Sequence, residues 1–131
     1  MRKSSIQAFG LAAFSGIIEA ATVTYDFDVT WVWASPDGYG RPVVGINNQW
    51  PCPTIEANLN DTLVINLTNK LGNQTTGLHW HGINQISTPF MDGPSGVTQC
   101  PIPPGSTIKY QFFADTAGTY WCELSHPIFS I

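Results

Sequence analysis

Charge is what this chain has least of. Its 131 residues hold five Lys and Arg against nine Asp and Glu, so only 11% are charged. A nucleic-acid-binding face needs a basic patch, and so sparse a basic complement excludes one. No segment is apolar for long enough to cross a bilayer: the longest run, Ile6 to Ile18, covers 13 residues, where a span needs about 20. No helix of ordinary length, internal repeat or low-complexity tract is visible after that run. Cysteine is scarce and odd in number, with Cys52, Cys100 and Cys122 only. In an oxidising compartment an odd count leaves one thiol over or implies a partner outside the chain.

The first residues have the form of a secretory signal peptide. Arg2 and Lys3 make the charged start, Ile6 to Ile18 the apolar stretch, and Ala20 and Ala21 the small residues at which cleavage occurs. Ile18 and Glu19 fit the cleavage pattern imperfectly. Residues 1–20 are therefore expected to be removed and the protein to be secreted or held at the cell surface. The remainder is long enough for one domain with a modest core. Its solubility must come from hydroxyl and amide groups and from glycans. Three acceptor sequons, at Asn60, Asn66 and Asn73, fall within fourteen residues.

Hydrophobic alternation predicts an all-β fold. From Val23 to Trp33 every odd position is apolar or aromatic, and the even ones are mostly Thr and Asp. Leu63, Ile65 and Leu67 repeat the pattern, as do Ile108, Tyr110 and Phe112. Thr76 to Gly82 and a segment starting near Thr119 read as further strands. Ser35-Pro36-Asp37-Gly38 reads as a turn, and the stretch from Ser87 to Gly105, rich in Pro and Gly, as irregular. Short strands between turn signals make a β-sandwich. An immunoglobulin-like sandwich fits poorly. The approach to Cys122 is one residue too long, and Cys52 lies between Pro51 and Pro53.

His79-Trp80-His81 carries two of the three histidines. In a strand His79 and His81 share one face, about 7 Å apart, and Trp80 points the other way. Neutral imidazole is a favoured ligand for copper and zinc. The pair offers two nitrogens to one metal or one to each of two. By spacing alone it also fits two polar residues on a wet strand face.

Other motifs accompany it: Arg41-Pro-Val-Val-Gly-Ile-Asn-Asn-Gln-Trp-Pro-Cys-Pro-Thr-Ile-Glu56, Gly77-Leu-His-Trp-His-Gly82, Met91-Asp-Gly93, Val97-Thr-Gln-Cys-Pro-Ile102 and Gly118-Thr-Tyr-Trp121. With these in this order the chain resembles the first plastocyanin-like (cupredoxin) domain of multicopper oxidases, in the fungal iron-oxidising, laccase-like branch. The resemblance covers about Thr24 to Trp121. It implies an all-β Greek-key sandwich over residues 21–121, incomplete at its C-terminal edge, and copper as cofactor. It implies a type 2 copper at His79, a type 3 copper at His81, and Asp92 beside them. It also implies a reducing substrate, ferrous iron or a phenol, and reduction of oxygen to water. The choice of substrate depends on later domains.

After Trp121 the likeness breaks. The family continues Tyr-His-Ser-His, and this chain has Cys122-Glu123-Leu124-Ser125-His126. The family's first histidine falls at Glu123 if counted from Trp121, or at Leu124 if counted back from His126. His126 is displaced by one residue, which in a strand turns a side chain to the opposite face, so it is not expected to be a native ligand. Three histidines cannot furnish a three-copper site, so no oxidase turnover is expected from this chain by itself. Two other readings are a plastocyanin-like electron carrier, for which no Met follows Cys122, and a secreted non-catalytic module. Cys-Glu-Leu can be encoded TGT GAG TTN, which contains the splice-donor string GTGAGT. Residues 122–131 are thus expected to be intron read-through. Sequencing the transcript across the codons for Trp121 and Cys122 checks this, and spliced messages should resume with Tyr-His-Ser-His. If every message encodes Cys-Glu-Leu-Ser-His, the read-through idea fails.

Overall fold

The computed structural model describes residues 19–125. The expected signal peptide up to residue 18, and His126 with the rest of the tail, lie outside them. Four strands, β1 (Thr22–Ala34), β2 (Arg41–Ile46), β3 (Thr62–Asn69) and β5 (Thr107–Phe113), form one sheet in the order β2-β1-β3-β5. A second sheet pairs β4 (Gly77–His81) with β6 (Trp121–Ser125). From β3 onward the chain alternates between the sheets, and the expected all-β sandwich forms. β1 and β3 run parallel, and the other pairs are antiparallel.

Period-2 sequence produces the core. Leu63, Ile65 and Leu67 on β3 are buried, and so are Tyr110 and Phe112, which lie opposite Ile65 and Leu63 on β5. Phe27 and Val29 extend that layer into β1, and Leu78 and Trp80 face it from the second sheet. Trp80 packs its indole on Tyr110 edge-on, centroids 5.6 Å apart, and on Phe112 at 5.0 Å. Aromatic pairs in such geometries add about 0.5–1.5 kcal/mol to the burial itself. The Tyr110 hydroxyl accepts a hydrogen bond from the Leu78 backbone N–H at 3.2 Å, which fixes the height of β4 over the first sheet.

The alternation of β1 outlasts its burial. Trp31 and Trp33 occupy odd positions as expected, but they are 41% and 73% exposed. Pairing with β3 ends at Val29, beyond it β1 is paired only with β2, and the Trp31 indole N–H donates to the Leu71 carbonyl in the loop after β3 at 3.2 Å. The last strand also differs in extent. β6 runs from Trp121 through Ser125, so the residues after Trp121 complete the pairing with β4.

Two buried polar residues fasten the loops. Asn69 donates from Nδ2 to the carbonyls of Gln74 and Ile102, at 2.8 and 2.9 Å, and accepts from the Leu71 N–H. Asp61, immediately before β3, accepts the backbone N–H groups of Ala21 and Asn58, each at 2.8 Å. The Ala21 N–H foremost, with that of Asn58, holds the Asp61 carboxyl below its ordinary range despite burial. A depressed folded-state value stabilises the fold above the unfolded value of about 3.9 and loses that contribution as pH falls through the folded value. Melting temperature measured against pH should therefore show a step at acid pH that is smaller in Asp61→Asn. An unchanged step in that variant would remove Asp61 as its source.

Candidate metal centre

β4 places the two histidines. Leu78 and Trp80 turn inward, so His79 and His81 turn outward together. Their ring centroids are 5.8 Å apart and their planes 56° apart. The β6 register sets Glu123 directly opposite His79, and Trp121 opposite His81. Glu123 thereby joins the histidine face, and Cys122, opposite Trp80, joins the core face.

Each ring is held through one nitrogen. His79 Nδ1 lies 3.0 Å from the backbone carbonyl oxygen of Asp92 and 3.3 Å from its carboxylate. A carbonyl oxygen can only accept, so Nδ1 carries the proton and Nε2 keeps its lone pair for a metal. His81 Nδ1 lies 3.1 Å from Glu123 Oε1, and its ring meets Trp121 edge-on. An ionised carboxylate again only accepts, which gives His81 the same tautomer. Such outer contacts are how proteins aim imidazoles at metal ions. The donor set present therefore fits copper at two nitrogens. Among the described residues no three His, Cys, Asp or Glu side chains are gathered to hold an ion between them.

The Asp92 carbonyl reaches His79 because Gly93 lets the loop lie against β4. Gly93 has φ +92°, and a Cβ there would come 1.7 Å from the Leu78 carbonyl oxygen. Gly82 has φ +85° just after His81. The resemblance placed Asp92 beside the histidines, and of its atoms the main-chain oxygen makes the shorter contact with His79. Glu123 was noted only as a missing imidazole. Its place against His81 follows from strand register, which no local pattern signals.

The remaining expected residues fall elsewhere. Cys52 and Cys122, both half-buried, wall a groove of about 710 Å³ with Trp50, Trp80 and Tyr120. Burial raises both thiol pKa values. Cys100 is exposed, and all three thiols are free. Asn60 and Asn73 are exposed, and half-buried Asn66 donates from Nδ2 to the Asp26 carboxylate at 2.7 Å.

Comparison with known proteins bears on this arrangement. A multicopper oxidase family profile matches residues 28–127. The chain belongs to the multicopper oxidase family. It is 61% identical over 112 residues to the iron transport multicopper oxidase fetC of Epichloe festucae, a match covering 85% of this chain and 18% of that protein. It is 49% identical to the iron transport multicopper oxidase FET3 of Gibberella zeae, over 89% of this chain and 19% of the relative. The crystal structure of Fet3p, a multicopper oxidase that functions in iron import, superposes with a TM-score of 0.74 at 43% identity, over 79% of this chain and 20% of that one. A laccase from Botrytis aclada superposes with a TM-score of 0.76 at 41% identity, over 80% of this chain and 20% of the laccase. The fold is thus cupredoxin-like and copper is the family's metal. This chain spans about a fifth of these relatives' length.

Gly93→Ala should cost at least about 3 kcal/mol, from a strained φ together with overpacking against backbone. Urea denaturation checks this. Wild-type stability in the variant would mean that the loop does not need its close approach to β4.

Proposed function

We propose that this chain is the copper-binding first domain of a secreted multicopper oxidase that oxidises ferrous iron or a phenol while oxygen is reduced to water. The paired imidazoles of His79 and His81 on the outer face of β4, each held at Nδ1, carry this reading. His79 would hold the type 2 copper and His81 one of the paired type 3 coppers. Bound copper supplies one-electron redox chemistry. The chain's own residues hold and orient: Asp92 fixes the tautomer of His79, Glu123 fixes that of His81 in this chain although it lies in the stretch read as intron read-through, and Trp80 anchors the strand from behind. The relatives named for iron transport favour ferrous iron as the reductant. Residues 1–20 would direct export, and Asn60, Asn66 and Asn73 would carry glycans.

One observation favours a second reading. No third ligand stands gathered with the histidines among the described residues, which suits a secreted module without catalysis. An electron-carrier site is disfavoured, because Cys122 faces the groove and Glu123 faces the histidines.

Copper titration of the purified chain decides between the first two. We expect binding that His79→Ala and His81→Ala each weaken by more than the roughly 10–100-fold typical of outer contacts. Glu123→Ala should weaken it by roughly 10–100-fold, and Glu123→Gln, which keeps an acceptor oxygen, by less. The loaded chain should show no strong blue absorption band and no oxygen uptake with ferrous iron or a phenol. Copper binding indifferent to both histidines would favour the module without a metal role.

A further inference from the structure

Asp61 is 2% exposed and has no cationic side-chain partner among the described residues. Its carboxylate spends one oxygen, Oδ1, on the backbone nitrogen of Ala21 at 2.8 Å and the other, Oδ2, on that of Asn58. Ala21 is the residue that follows the small-residue cleavage position Ala20. Cleavage there would turn the Ala21 nitrogen from an amide into a primary ammonium at the same place. We infer that Asp61 is the receptor for the new amino terminus, so that removal of the leader converts a hydrogen bond into a buried-carboxylate ion pair that pins the start of β1. This rests on the reading of residues 1–20 as a signal peptide.

Three features of the surroundings support it. The Ala21 carbonyl accepts the Thr62 N–H at 2.8 Å, so Ala21 is already docked as the first rung of the β1–β3 ladder. Asp61 is fixed in turn, because its own carbonyl accepts the Ala114 N–H at 2.9 Å. Donor and acceptor are therefore held by backbone on both sides, and little ordering remains to be done. Ala21 itself is exposed, so an ammonium there keeps water on its other protons. The desolvation cost of the carboxylate is already met in the uncleaved chain. The charge added by cleavage thus meets a carboxylate already aimed at the Ala21 nitrogen, where a charge-assisted hydrogen bond replaces a weaker one.

Hydrolysis of the Ala20–Ala21 bond consumes one water and gives the Ala20 carboxylate and the Ala21 amine, which takes up a proton near neutral pH. Nothing further reacts. The free amine is both the product of processing and the group the fold receives.

Two measurements test this. The chain secreted with its own leader from a eukaryotic host is sequenced from its amino terminus, and Ala21 should be the first residue. Separately, two forms are released from a cleavable fusion. One begins at Ala21, the other keeps Glu19-Ala20 ahead of it, and each is made with Asp61 and with Asp61→Asn. With Asp61, the form starting at Ala21 should melt higher by about 4 °C or more, the shift that a single added charged contact gives in a domain of this size. In the Asp61→Asn background, the two forms should melt together. Equal melting with Asp61, or the same difference in both backgrounds, overturns the receptor role. Another starting residue in the secreted chain overturns the proposal at the processing site, whatever the released forms show of the Asp61 contact.

Discussion

The packing of Trp80 between the sheets is the contact on which the metal face depends. A strand must send successive side chains to opposite sides. Once the indole is committed to Tyr110 and Phe112, His79 and His81 have no choice but the outer face. The same rule, applied across the β4–β6 ladder, delivers Glu123 to the histidines and Cys122 to the interior. The chemistry of the outer face is thus set by hydrophobic burial on the inner one. The aim of the two rings then comes from shorter-range contacts, a main-chain oxygen for one and a carboxylate for the other.

Most of the strands were legible because burial on one face writes a two-residue period into the sequence. Leu63, Ile65 and Leu67 show it plainly, and all three are buried. The period tells which side a residue faces and not whether anything lies on that side. Trp31 and Trp33 keep the apolar phase of the period yet are 41% and 73% exposed beyond the end of the pairing with β3. The pair of histidines was equally legible, since both the spacing and the residue type are local. What holds them was not. The Asp92 contact runs mainly through a carbonyl, which every residue possesses, and it depends on a glycine whose role appears only when the loop is seen against β4. The Glu123 contact joins positions 42 apart in sequence, and only the register of two strands brings them together.

The fit to copper is partial in an informative way. Two imidazoles stand oriented, with one nitrogen of each held and the other carrying a lone pair. The relatives it matches are about five times longer than this chain. The indole nitrogen of Trp80 is buried without a hydrogen-bond partner in the structure, and Trp80 is among the residues that line the groove beside β6. The inner face is lined mainly by apolar side chains, whereas the outer face carries the two imidazoles and Glu123.

The parallel union of β1 with β3 has a consequence in time. Its first rungs join residues 40 apart. At synthesis rates of about 5–20 residues per second, β1 would wait roughly 2–8 s for its central partner to be made. Pairings of such long reach also close slowly afterwards, in the millisecond-to-second range typical of β-sandwiches. During that interval β1 is an aromatic strand with both edges open, the kind of segment that pairs with other copies of itself. Asp26 and Asp28 occupy alternate positions on its polar side. Like charges repel when two such strands pair edge to edge in register, so carboxylates at these positions oppose that pairing.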